Sequence, residues 1–206
     1  MVATTHRSHR MASWLLALAA LGSQAALALA LEGERYSETA VKAVFLYRFT
    51  GFVDWPAAAM RGSEFEIGVL GADAVAEALA RVLLEHRVKG LPARVRRIRD
   101  AREIGHAQLL YVGPDASAQV PAIVQATRDA PVLVVSDTSD GLEQGSAINF
   151  LLLDQRVRFE VSLPAANRAG LHISSELLAV ALRVAGPVDR EPDRRSVAGA
   201  GESVPE

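Results

Sequence analysis

The sequence predicts a single α/β domain: a sandwich with a mixed, mostly parallel central sheet flanked by helices, ending in an antiparallel hairpin and a C-terminal helix. Three observations carry this. Strand-like runs at 65–70, 107–112 and 132–135 alternate with segments of helical apolar spacing, the rhythm of β-α units. The run Val132-Leu133-Val134-Val135 is continuously apolar, as in a strand covered on both faces. Two further strand-like runs, Ala147 to Leu153 and Arg156 to Val161, are separated only by Asp154-Gln155, a loop length that makes a β-hairpin.

The elements follow in order. Ser37 is placed to cap a first helix through Val41, Phe45, Phe49 and Phe52, whose spacing lines one face. Trp55-Pro56 stops it, because proline disfavours helix in the residue before it. Phe65 to Leu70 is a strand, Gly71 turns the chain, and Asp73 caps a helix through Val75, Leu79 and Val82. Gly90 marks another turn. Ala93 to Arg99 alternates apolar and basic residues, as an edge strand does. A short helix covers Val120 to Thr127, and Pro131 introduces the apolar strand. In the hairpin, a two-residue loop pairs Leu152 with Val157 and Phe150 with Phe159; Asn149, Leu151, Arg158 and Glu160 share the opposite face. Pro164 to Ala169 is a short helix ended by Gly170. Ser174 or Ser175 caps a final helix through Leu177, Leu178, Ala181 and Leu182, closed by Gly186-Pro187.

The ends have their own character. His6, Arg7, His9 and Arg10 precede an uncharged apolar stretch, and Ala26-Leu27-Ala28 and Ala28-Leu29-Ala30 are small-x-small cleavage sites. Residues 1–30 therefore read as a cleaved export signal, cut after Ala28 or Ala30, with an uncleaved anchor as the other reading. Residues 31–186 form the domain, and 187–206, charged and without apolar period, read as a disordered tail. The expected location is periplasmic.

Composition narrows the function. Removing the signal takes away Arg7 and Arg10, so the 22 basic residues become 20 against 24 acidic ones. That balance gives no support to nucleic-acid binding. There is no cysteine, so neither disulfides nor a lipid-bearing cysteine are expected. Gly68 to Asp73 follows a strand but lacks the G-x-G-x-x-G spacing of a dinucleotide loop. His86, His106 and His172 share no metal-ligand spacing with carboxylates. No cofactor, metal or catalytic residue is expected.

Several pieces stand in a definite order and spacing: Val41 to Phe49, then Phe52-Val53-Asp54-Trp55-Pro56, Ile67 to Gly71, Val134 to Asp137, Ile148-Asn149-Phe150, Arg156 to Val161, and Ala169-Gly170-Leu171-His172-Ile173-Ser174-Ser175-Glu176-Leu177-Leu178. Together, from about Val41 to Val184, they resemble the YfiR-like family of periplasmic proteins. The resemblance implies an α/β sandwich, a homodimer, and a repressor that binds the periplasmic sensor domain of an inner-membrane diguanylate cyclase, lowering cyclic di-GMP and biofilm formation. It further implies an outer-membrane lipoprotein that sequesters the repressor. Family members can carry disulfides; this chain has no cysteine to form one. The alternative function is a periplasmic small-ligand-binding protein that signals to another membrane receptor, such as a sensor histidine kinase.

Candidate binding residues are Phe49, Phe52, Trp55, Asn149, Leu151, Arg158 and Glu160. The aromatic residues suit an anchor for a partner or ligand and equally suit core packing. The hairpin strip suits an interface and equally a cross-strand ion pair. His172, Ser174, Ser175 and Asp137 have the residue types of a hydrolase but no strained nucleophile turn, so capping and turn roles are expected. Arg94, Arg96, Arg97, Arg99 and Arg102 form a basic run, read as a charge-protected edge or as an anion site.

Overall fold

The computed structural model describes residues 38–186. The expected signal at 1–30, the cap at Ser37 and the tail at 187–206 lie outside the described residues. Seven strands form one sheet: β2 (Phe65–Leu70), β3 (Ala93–Arg97), β4 (Leu109–Val112), β5 (Leu133–Ser136), β6 (Ile148–Leu153), β7 (Arg156–Ser162) and β9 (Arg183–Ala185), in the order β3-β2-β4-β5-β6-β7-β9. The first five run parallel, β7 is antiparallel to β6, and β9 runs parallel to β7. A separate two-stranded ladder joins β1 (Val53–Asp54) to β8 (His172–Ile173).

Helices cover both faces. Helix α1 (38–52), α2 (Asp73–Leu83), α4 (Leu163–Arg168) and α5 (Ser175–Val180) pack on one side, around Phe49, Phe65, Ile67, Tyr111, Leu133, Ile148 and Phe150. On the other side α3 (Val120–Ala126) and short 3-10 turns enclose Leu70, Ile98, Leu110, Val112, Val120, Ile123 and Val134. The two cores explain the unbroken burial of β2, β4 and β5, whose residues have no solvent face to present.

The hairpin has the expected register, with Phe150 opposite Phe159, Leu152 opposite Val157, Asn149 opposite Glu160 and Leu151 opposite Arg158. Asp154 and Gln155 turn the chain with φ of 47° and 59°. Both central residues in the left-handed region match the right-handed strand twist. Strand β3 is at one edge of the sheet, as its charge alternation predicts.

Four expectations require correction. The buried side of α1 is Ala43, Leu46 and Phe49, while Val41 is exposed and Phe45 and Phe52 are half-buried. The helix is apolar around most of its circumference, and the sheet takes the stripe with the smaller residue Ala43, which permits close approach. Asp73 is the first residue of α2 and not its cap; Ala72 holds that position with no side-chain bond. Among the buried residues of that helix are Val75, Leu79 and Leu83, and Val82 is only half-buried. The last helix stops at Val180, and Leu182 lies outside it: its N–H donates to the Phe159 carbonyl at 2.8 Å, and β9 extends the sheet from there.

The crossover between β2 and β4 is where ligand crevices open in doubly wound sheets. Here Gly71 and Gly113 bring the two strand-end loops together. A Cβ on Gly113 would meet Ala72 Cβ and the Gly71 carbonyl oxygen at 2.5 Å, and one on Gly71 would meet the Ala116 backbone nitrogen at 2.5 Å. The glycines serve loop-to-loop packing at this point.

Candidate partner-binding site

The expected site residues separate into three places. Phe49 and Phe52 belong to α1. Phe49 is fully buried, with ring centroids 5.1 Å from Phe159 and 5.6 Å from Phe150, and Phe45 is 5.6 Å from Phe159. This aromatic cluster fixes α1 on the hairpin and forms the floor of a groove.

Trp55 lies elsewhere, in the core. It is 9% exposed, its Nε1–H donates to the Gln108 carbonyl at 3.1 Å, and its ring meets Phe65 edge-on at 5.2 Å. Gln108 also accepts from the Glu66 N–H at 2.8 Å and donates to the Ala59 carbonyl at 3.1 Å. The indole thus closes the end of the sheet with its one polar atom satisfied.

Asn149 and Glu160 lie on the sheet's other face, both buried, under the loop that joins β5 to β6. Asn149 Oδ1 accepts from Ser136 Oγ at 2.8 Å, and its Nδ2 donates to the Thr138 carbonyl at 2.8 Å and to Glu160 Oε1 at 3.1 Å. Glu160 Oε2 in turn accepts from Arg183 Nε at 2.8 Å. A Cβ on Gly141 would sit 2.1 Å from Ser136 Oγ, so the loop presses directly on this network. Leu151 is half-buried and Arg158 exposed farther along the same strip. The structure therefore does not bring the aromatic residues and the hairpin strip into one site.

A second polar cluster anchors α1. Lys42, 5% exposed, donates to Glu38 and Asp137, and Tyr111 Oη–H donates to Asp137 Oδ2 at 2.8 Å. Burial opposes the ammonium, but the bonds and charges of Asp137 and Glu38 outweigh it, and Lys42 stays above its ordinary pKa of 10.5. Burial, reinforced by the Asp137 charge, pushes the Tyr111 phenol far above its ordinary range. Asp137 is thus a structural acceptor. Ser174, and not Ser175, caps α5, accepting from the Leu177 N–H at 3.4 Å, while His172 pairs with Asp54 in the small ladder.

The basic run is largely neutralised. Arg94 meets Glu64 and Glu66, Arg96 meets Glu66, and Arg97 meets Asp73 and Glu77. Burial works against the Glu66 carboxylate, yet Arg96 and Arg94 hold its pKa below the ordinary 4.5.

What the surface does present is an apolar groove of about 660 Å³ between α1 and α5. Val41, Val44 and Phe52 line one wall, Leu177 and Val180 the other, with Phe45, Phe49 and Phe159 beneath and Arg48 and Glu176 at the sides. Val44 is 44% and Val180 67% exposed. An adjoining hollow carries the apolar lining on through Leu152 and Val157 toward Arg158. Sequence reasoning found Phe49 and Phe52 but missed Val44, Arg48, Glu176, Leu177 and Val180 as site residues. The signal was present as a second apolar stripe, Val41-Val44-Phe45, on a helix whose first stripe is fully used by the core.

Fold and surface together define an α/β sandwich domain that leaves an apolar groove open among its described residues. The sequence profile of the YfiR/HmsC-like family matches residues 39–182. The chain belongs to this family. No curated protein matches it. Solved structures similar to it include a conserved domain protein from Vibrio cholerae O1 biovar El Tor, at 14% identity and TM-score 0.44, over 58% of this chain and 54% of that one. Another is the ABC domain in complex with L-Trp from Streptococcus pneumoniae, at 13% identity and TM-score 0.46, over 58% of this chain and 55% of that one. This chain spans about half the length of each.

Proposed function

We propose that this protein is a periplasmic, non-enzymatic regulator that binds the sensor region of an inner-membrane diguanylate cyclase and holds the cyclase inactive, lowering cyclic di-GMP. Family membership supports the partner class. The observation that carries a binding role is the groove itself: contiguous apolar surface left open on a folded domain marks an interaction site. An outer-membrane lipoprotein that sequesters the regulator, and a homodimeric state, belong to the same proposal. The export signal read at 1–30 supports the location.

A different cleft favours a second reading. It holds about 520 Å³ between α3 and α4 and is lined by Thr127, Arg128, Asp129, Gln144 and Arg168. Two guanidinium groups at one cleft suit a small anionic ligand, which would signal to another membrane receptor such as a sensor histidine kinase.

The test is affinity capture. Residues 31–206 are immobilised and exposed to detergent-solubilised native membranes, and bound proteins are identified by mass spectrometry. Recovery of a diguanylate cyclase, followed by inhibition of its activity on adding the protein, supports the first reading. Recovery of a histidine kinase in its place supports the second. A folded bait that retains no membrane sensor overturns the regulatory reading.

A further inference from the structure

We infer that the α1–α5 groove seats an amphipathic α-helix of the membrane partner, with an acidic side chain against Arg48 and a basic one against Glu176. This rests on the regulatory reading above and specifies the part of the partner that is recognised.

The dimensions come first. The groove runs along α1 from Val41 to Phe52, a rise of about 17 Å at 1.5 Å per residue, or roughly three helical turns. Its walls are two helices and its floor is aromatic: Phe45, Phe49 and Phe159. A surface of this kind accepts side chains spaced i, i+3 or i+4 and i+7 from an apolar helix face. An added strand is a poor fit at the floor, because Phe159, the β7 residue that lines it, already accepts from the Leu182 N–H through its carbonyl, and β9 pairs Glu160 to Ser162 beyond it. A second copy of this chain is also a poor fit: it offers the same concavity, and two hollows facing one another leave both floors unfilled.

Charge sets the orientation. Arg48 on α1 and Glu176 at the start of α5 both line the groove. Among the described residues neither takes part in an ion pair, whereas Arg94, Arg96, Arg97, Arg102 and Arg183 all do. Unpaired opposite charges on the two sides of one apolar groove complement a helix that is acidic on one flank and basic on the other. Such rim charges set register and the rate of encounter.

The experiment uses the secreted chain with a photo-crosslinking phenylalanine in place of Val44, Val180 or Leu84, incubated with the purified cyclase sensor region in its detergent micelle. Leu84 is 83% exposed and outside the groove. Val44 and Val180 are expected to crosslink to opposite faces of one helical segment of the sensor, and Leu84 to none. Arg48→Glu and Glu176→Arg are expected to weaken binding about tenfold each; Arg48→Glu leaves the melting temperature unchanged, whereas Glu176→Arg lowers it slightly, because Glu176 lies in the first turn of α5, where a negative charge is favoured. Reversing the facing charge on the sensor helix is expected to restore it. Crosslinks to a second copy of this chain, crosslinks to an extended segment, or undiminished binding by both charge variants overturn the inference. In those cases wild-type binding and inhibition of the cyclase leave the regulatory reading standing. If the sensor region neither binds nor crosslinks at any position, both fail.

Discussion

Asn149 and Glu160 face each other across the β6–β7 hairpin, joined by a 3.1 Å bond from Nδ2 to Oε1 in a site fully closed to solvent at Asn149. Each holds a different element: Asn149 the loop after β5, Glu160 the strand β9 through Arg183. Asn149→Ala removes the partner of several buried groups at once and is expected to cost about 2–3 kcal/mol in denaturant unfolding. Glu160→Gln is expected to cost less, about 1–2 kcal/mol, because the lost ion pair involves a half-exposed arginine that water screens. Equal and negligible losses would show that the network is idle.

The Lys42–Asp137–Tyr111 cluster predicts an alkaline limit to stability. Lys42 and Tyr111 both have folded-state pKa values raised above their unfolded ones. Their contribution is therefore complete below about pH 10 and is lost as pH rises through the folded values. Melting temperature followed from pH 8 to 11 is expected to fall in the wild type. The fall should be shallower in Lys42→Met and Tyr111→Phe. Lys42→Met alone is expected to cost about 3 kcal/mol at neutral pH by leaving the Asp137 carboxylate uncompensated, and Asp137→Asn in the same chain to recover part of it.

Trp55→Ala opens a cavity beside Phe65 and frees the Gln108 carbonyl. A loss of about 3–5 kcal/mol is expected, and Trp55→Phe should retain part of the stability. The measurement is chemical denaturation of both variants; a Trp55→Ala variant as stable as the wild type would remove the residue from the core.

Gln155 occupies the left-handed region in the hairpin turn with φ of 59°, a conformation that costs a residue with a Cβ. Gln155→Gly is expected to stabilise the domain by about 0.5–1 kcal/mol. A lower melting temperature in this variant would mean that the Gln155 side chain contributes more than its backbone costs.

The hairpin was legible residue by residue because a two-residue loop leaves only one register, and the apolar faces agree with it. The parallel core was legible because β5 is an apolar run too short to be a helix, and β2 is apolar but for Glu66 and Gly68. The site was legible only in part. Asn149 and Glu160 look like the wet face of a hairpin, and nothing in their spacing announces that the loop carrying Gly141 will cover them. Strand β9 was hidden by continuity of pattern: Leu177, Leu178, Ala181 and Leu182 keep helical spacing, and only pairing to β7 draws Arg183 to Ala185 into the sheet. The groove was hidden because α1 carries two apolar stripes, and periodicity cannot tell which one a sheet will claim.

The wiring of the sheet also sets the order in which its parts have something to gain while the chain folds. Leu153 and Arg156 are paired across two residues, so the hairpin closes a short loop and can form within microseconds. Strand β2 has no such neighbour: Phe65 waits for Ala93, and Ile67 for Leu109. Val53 finds Ile173 only when nearly the whole domain is present. Parallel pairings at this separation must meet the cost of loop closure before any contact repays it. During that interval β2, β4 and β5, apolar on both sides, stand uncovered. The middle of the sheet is therefore expected to pair late, and the hairpin early, as a surface against which α1 can dock its phenylalanines.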